Sequence, residues 1–168
     1  MNNSCRLNIP YPEIKVENKD IKTARILMPL YCGRNSELTA VNTYLYQSII
    51  TREKNAKTSE LIECISMCEM KHYRMLAELI NMLGLNPFPA ILSQRRPNYW
   101  NTSYISPSTD IVKFTQDNIN AEKNAIKEYR FAISKIKDEG IIELLERIIK
   151  DEEHHIMLFN TVLENVIE

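Results

Sequence analysis

Residues 150–159 read KDEEHHIMLF and set two of the chain's three histidines side by side behind a run of acids. The positions Ile141, Leu145, Ile148, Glu152, His155, Phe159, Val162 and Val166 around them step by four and three. That spacing marks the buried stripe of a bundle helix. Glu152 and His155 thus fall inside an apolar seam, while His154 lies ~100° further round. A solvated face and a metal site are the competing explanations. Seam position favours the metal, because an unpartnered buried charge is costly.

A second segment repeats the pattern. Ile62, Ile65, Glu69, His72, Leu76, Leu79 and Leu83 form a seam in which Glu69 and His72 again read Glu-x-x-His. One such match arises easily by chance; two matches at mid-helix seam positions carry far more weight. A third seam, Thr115, Ile119, Glu122, Ile126, Tyr129, Ile133 and Ile136, holds Glu122 as its one acid. In the fourth, Glu37, Val41, Tyr44 and Ser48 share a face, and Glu37 is the candidate.

Punctuation supports four long helices, at about 36–55, 58–83, 109–137 and 141–166, with a shorter helical piece near 20–28. Gly33, Gly84 and Gly140 sit at boundaries, Asn35 and Ser36 are N-cap candidates, and the seven prolines lie outside the four runs. No strand pattern competes. The first two helices are joined tightly, as are the last two, so each pair should form an antiparallel hairpin. The Pro-rich stretch between them can reach on the order of 75 Å when extended, against a second helix on the order of 40 Å long. The expected fold is therefore all-α, a ferritin-like four-helix bundle of two antiparallel hairpins joined by a long crossover. Residues 1–168 should make one domain, with an extended N-terminal arm over 1–19 and the crossover over 85–108.

Composition narrows the function. The formal net charge is −1, so there is no basic excess to neutralise phosphates, and no nucleic acid is expected as a partner. No 18-residue apolar run occurs, so no membrane partner is expected. The N-terminal stretch lacks the apolar core of a signal peptide, which makes a cytoplasmic location the default. Cys5, Cys32, Cys64 and Cys68 are then expected as thiols, and none forms a C-x-x-C pair.

Four carboxylates and two imidazoles would be very costly in a dry bundle. Two divalent cations offset four carboxylates, and imidazoles bind as neutral ligands. One Glu from each of two helices plus Glu-x-x-His from each of the other two is the di-iron or di-manganese carboxylate constellation. The expected metal residues are Glu37, Glu69, His72, Glu122, Glu152 and His155, holding two iron or two manganese ions.

These residues resemble the metal ligands of the ferritin-like superfamily, especially rubrerythrins, bacterioferritins and manganese catalases. The resemblance covers roughly residues 36 to 166. GRNSELTAVNTYLYQ and NINAEKNAIKEY are similar to the small manganese-catalase-like proteins, including those of bacterial spore coats. Rubrerythrins carry a further ligand Glu one turn after the third-helix acid, where this chain has Ala125, and commonly a rubredoxin domain that this sequence lacks. The resemblance implies a dinuclear oxidoreductase acting on hydrogen peroxide or dioxygen, of catalase or peroxidase type, the latter with an electron-donor protein. It also implies a homo-oligomer, dimer or larger, and admits a spore association. Its alternatives are a ferroxidase or iron-storage protein, or a spore-coat-type structural protein that retains the site.

Smaller signals stay open at this level. Tyr44 and Tyr129 each lie two turns after a candidate Glu, as partners of the carboxylates or as core aromatics. Asp151 precedes Glu152 and either orients His72 or is a solvated acid. Cys64 and Cys68 sit one turn apart beside Glu69, as buried structural thiols or as a redox pair. Trp100 either pins the crossover to the bundle or marks a subunit contact.

Overall fold

A computed structural model describes residues 5–93 and 96–167. The parts of the expected domain at 1–4, 94–95 and 168 lie outside the described residues. Five helices and a small hairpin follow in order: α1 Ile21–Cys32, α2 Glu37–Thr51, α3 Ala56–Met82, β1 Ala90–Ser93, β2 Arg96–Tyr99, α4 Ile111–Ile133 and α5 Glu139–Ile167. A single 3₁₀ turn, Thr102–Tyr104, precedes α4.

Side-chain caps start the helices where orphan N–H groups need acceptors. Ser36 Oγ accepts from Thr39 N–H at 3.3 Å, Asn55 Oδ1 from Thr58 at 3.0 Å and Asp110 Oδ1 from Lys113 at 3.0 Å. Helix α3 ends in a Schellman motif. Leu85 N–H donates to Ile80 C=O at 3.1 Å and Gly84 N–H to Asn81 C=O at 3.0 Å. Gly84 takes φ +93° there, a left-handed conformation that glycine adopts without penalty.

The bundle is two hairpins, α2 on α3 and α4 on α5, with α1 packed across α3. The crossover between the hairpins is long, from the end of α3 at Met82 to the start of α4 at Ile111, and its prolines keep it from continuing either helix. Trp100 pins it to the bundle, its indole N–H donating to Thr39 Oγ1 at 2.9 Å.

Three local expectations need correction. Pro29 lies inside α1, which runs four residues past the expected end; near a helix C-terminus the carbonyl that loses its donor can find another partner. The crossover contains a two-stranded antiparallel ribbon pairing Ala90 with Tyr99 and Ser93 with Arg96. Strands this short, with Pro97 at an edge position, leave no periodic signal. Gly140 falls within the first turn of α5 rather than between two helices.

The cysteines depart furthest. Cys5 and Cys64 form a disulfide, with Cα atoms 5.6 Å apart, while Cys32 and Cys68 are free and buried. The arm folds back onto α3 and brings together two thiols that are remote in sequence.

The interior divides in two. One apolar cluster gathers α1, the second half of α3 and the first half of α5, including Leu27, Leu79, Leu83 and Leu145. The other gathers Tyr44, Ile62, Ile65, Phe114 and Phe159 at the opposite end. Between them lies a polar layer, and every expected metal residue is in it.

Candidate metal centre

Each hairpin brings one lone Glu and one Glu-x-x-His pair to this layer. Glu37 on α2, Glu69 and His72 on α3, Glu122 on α4, and Glu152 and His155 on α5 are all buried. They form two overlapping groups, Glu37–Glu69–His72–Glu152 and Glu69–Glu122–Glu152–His155, each with donor atoms within 4.8 Å of one another. Glu69 and Glu152 belong to both. His154 is half-buried and belongs to neither.

Both imidazoles turn Nδ1 inward. His72 Nδ1 lies 3.1 Å from Glu69 Oε2, 3.1 Å from Glu152 Oε1 and 3.5 Å from Glu37 Oε2. His155 Nδ1 lies 2.8 Å from Glu69 Oε1, 2.9 Å from Glu152 Oε2 and 3.9 Å from Glu122 Oε1. Glu37 Oε2, Glu69 Oε1 and Glu152 Oε1 are buried and accept no well-aligned hydrogen bond, even where a histidine nitrogen is close. Buried carboxylate oxygens are almost never left so. The donor set therefore fits two divalent cations, four carboxylates against two ions with a neutral imidazole on each side.

In a cation-free cluster, protons do the neutralising. Burial and then the Glu69 charge push Glu37 up to about 8. Burial, Glu69 and Glu152 raise Glu122 well above the usual carboxylate range. Burial opposes the charged form of both histidines, yet facing acids, Glu152 for His72 and Glu69 for His155, hold them well above their ordinary value. Burial and Glu152 act to raise Glu69, but the two histidines keep it below its usual value. Burial and crowded like charges raise Glu37 and Glu122, whereas facing opposite charges raise the histidines and lower Glu69.

The tyrosines cross-link the hairpins. Tyr44 on α2 donates to Glu122 Oε1 on α4 at 2.6 Å, and Tyr129 on α4 donates to Glu37 on α2. Burial, followed by the carboxylate each one faces, raises both phenols, which keeps them as O–H donors. Asp151 is buried rather than solvated, and its Oδ2 lies 3.3 Å from His72 Nε2. Tyr11 O–H donates to the same oxygen at 2.5 Å, Leu7 N–H donates to Oδ1 at 3.0 Å, and Arg147 pairs with it at 2.8 Å. Burial would raise Asp151, but these partners hold it far below the usual carboxylate range. Cys68, His72 and Asp151 also cluster, though Arg147 already supplies the compensating charge at that spot. Tyr11, Arg147 and the Cys5 carbonyl, 2.8 Å from His155 Nε2, went unread in the sequence. Only the four-residue spacing from Arg147 to Asp151 hinted at any of them.

A cavity of about 140 Å³ opens onto the cluster from the α2–α4 side, lined by Arg34, Glu37, Tyr44, Tyr104, Ala121 and Glu122 among others. Ala125 lines it too, where a longer acid would reduce its width.

Fold and site together define a ferritin-like bundle with buried carboxylate–histidine clusters suited to a dinuclear metal site. The model of the ferritin-like domain matches residues 34–167, and the chain belongs to that family. Among curated relatives, a protein of Clostridium acetobutylicum named probable manganese catalase is 29% identical, covering 92% of this chain and 76% of its own length. A bacterioferritin of Streptomyces coelicolor is 28% identical, covering 77% and 74%. Of solved structures, the manganese catalase KatB of Anabaena PCC7120 superposes with a TM-score of 0.82 at 22% identity, covering 97% of this chain and 80% of that one. A bacterioferritin from Desulfovibrio desulfuricans superposes with a TM-score of 0.69 at 21% identity, covering 86% and 80%. Among the described residues, no helix is long and apolar enough to cross a membrane.

Proposed function

We propose that the chain is a dinuclear-metal oxidoreductase acting on hydrogen peroxide, of catalase type, with Glu37, Glu69, His72, Glu122, Glu152 and His155 as ligands. The observation that carries it is the pair of buried four-residue groups sharing Glu69 and Glu152 behind a small cavity. Two iron or manganese ions held there would supply Lewis acidity and the electron pair for O–O cleavage. The names of the catalase relatives support manganese and peroxide for this chain.

The residues divide the remaining work. Glu69 and Glu152 face both histidines and so tie the two ion positions together. Glu37, Glu69, Glu122 and Glu152 all line the cavity as well as the cluster, so they are the carboxylates an incoming peroxide meets and the groups placed to take and return its protons. Tyr129 and Tyr44 fix one oxygen of Glu37 and one of Glu122 by hydrogen bonding, leaving the other of each to the site. A cavity of about 140 Å³ suits peroxide with a few waters and excludes bulky substrates. With peroxide as both oxidant and reductant, two molecules give dioxygen and two waters, and no external donor is needed.

The bacterioferritin relative favours one second reading, a ferroxidase that consumes iron(II) and dioxygen. Purified protein loaded separately with manganese(II) and iron(II) tests both. The expected result is two ions per chain and dioxygen release from peroxide. Full loading with no dioxygen release would overturn the catalase reading, and iron(II) oxidation coupled to dioxygen uptake, in a much larger shell by native mass, would install the second.

A further inference from the structure

The ferritin-like match begins at residue 34, yet both histidines of the centre are completed from residues 5–11. Cys5 C=O accepts from His155 Nε2 at 2.8 Å. A carbonyl can only accept, so Nε2 carries the hydrogen, and in the neutral ring Nδ1 keeps its bare lone pair toward Glu69 and Glu152. On the other side the arm acts mainly through Asp151, which faces His72 Nε2 and receives Tyr11 O–H and Leu7 N–H, and the Tyr11 oxygen also lies 3.2 Å from His72 Nε2. The arm's backbone is tied down by Arg147, which donates to Leu7 C=O at 3.2 Å and to Ile9 C=O at 2.9 Å. Those ties reach residues 7 and 9. What holds residue 5 itself over His155 is the bridge to Cys64 on α3.

We propose that the N-terminal arm is a positioning element of the metal centre, and that the Cys5–Cys64 bridge governs retention of the ion on the His155 side. This rests on the dinuclear-metal reading above. The two sides differ in their dependence on the bridge. His72 is oriented by Asp151, a side chain of α5 that keeps Arg147 as partner whatever the arm does. His155 Nε2 has the Cys5 carbonyl, an arm group, as its acceptor. Without the bridge, that carbonyl exchanges with water, the ring loses its fixed tautomer and orientation, and Nδ1 becomes the poorer ligand.

The experiment compares manganese-loaded wild type with the Cys5→Ser/Cys64→Ser double variant, which keeps every backbone group. Each is dialysed against graded chelator, then metal per chain and the manganese EPR spectrum are measured. Outer partners of a ligating histidine are worth about 10–100-fold in affinity. The double variant should therefore drop from two ions to one at about 10-fold lower chelator than wild type. It should then show the signal of an isolated manganese(II) ion in place of a spin-coupled pair. Equal retention in a variant whose far-UV dichroism matches wild type overturns the proposal, as does loss of both ions together. Should the variant not fold, loaded wild type treated with a water-soluble phosphine gives the same readout. The phosphine takes up oxygen from water, and the bridge becomes two thiols. Wild type that never holds two ions would instead sink the metal reading itself, a separate result.

Discussion

The two halves of the centre share an inner pattern and differ outside it. Around His72, the far nitrogen meets an ionised Asp151 knotted to a buried Arg147 and to Tyr11. Around His155, it meets a neutral carbonyl and no carboxylate among the described residues. Pseudo-symmetry thus reaches as far as the Glu-x-x-His pairs and the crossed tyrosines, where helix periodicity alone sets the geometry. It ends where the arm, present once, wraps one side of the bundle. A histidine backed by a carboxylate is the more basic ligand, so the two ion positions should be unequal.

Removing a shared carboxylate should erase that inequality. Glu152→Ala takes an oxygen from both groups and should leave less than one ion per chain, whereas Glu122→Ala touches only the His155 group and should leave one. Metal analysis after gel filtration reads the difference, and equal losses in the two variants would show that Glu152 is not shared.

Asp151→Asn strikes the His72 side and should be the costliest change to the fold. It leaves the Arg147 guanidinium buried without its counter-charge, a loss of about 3–5 kcal/mol. Denaturant melts of the metal-free protein measure it; a loss below ~1 kcal/mol would mean that the carbonyls of Leu7 and Ile9 suffice for Arg147.

A pH series sharpens the comparison through charge. Glu37 and Glu122 have folded values raised above the ordinary 4.5, so their contribution to metal-free stability is fully present below that value. It is lost as pH rises, for Glu37 through about 8. The raised histidines act in the same direction above 6.5. Asp151 runs the other way, since its lowered value gives stability present above 3.8 and lost as pH falls through the folded value. The metal-free protein should be more stable at pH 5.5 than at pH 8.5, by on the order of a few kcal/mol, and metal should flatten the slope. Glu122→Gln should also reduce it. Gln is the better probe than Ala, because it leaves Tyr44 O–H an acceptor and no void. A metal-free protein with no such slope would mean that water, not protons, relieves the crowding.

The smallest effect belongs to the neighbour that sits outside both groups. His154→Gln should leave both ions bound and stability within about 0.5 kcal/mol. Loss of an ion on metal analysis would mean that the α5 register is wrong.

The six clustered residues were legible in the sequence because their evidence is local. A Glu and a His three apart inside an apolar seam can be read from the helix period alone. The unequal loops gave the two hairpins by the same kind of counting. Whatever needs the chain to return on itself was not legible. Cys5 meets Cys64 across a separation of 59, Tyr11 meets Asp151 across 140, and Leu7 meets Arg147 across 140. Asp151 shows the boundary well. Its position beside Glu152 suggested a partner for His72, but its burial depends on the arm that covers it.

The bridge also has a topological meaning. It closes the first part of the chain into a covalent ring that holds α1, α2 and the start of α3, with a sequence separation of 59. A ring of that length removes chain freedom from the unfolded ensemble worth about 4 kcal/mol. The α4–α5 hairpin lies wholly outside the ring. In the oxidised unfolded chain the arm remains tethered to the start of α3. His155 and Asp151 lie outside the ring, so the contacts that complete the centre join a part of the chain that the bridge constrains to a part that it does not.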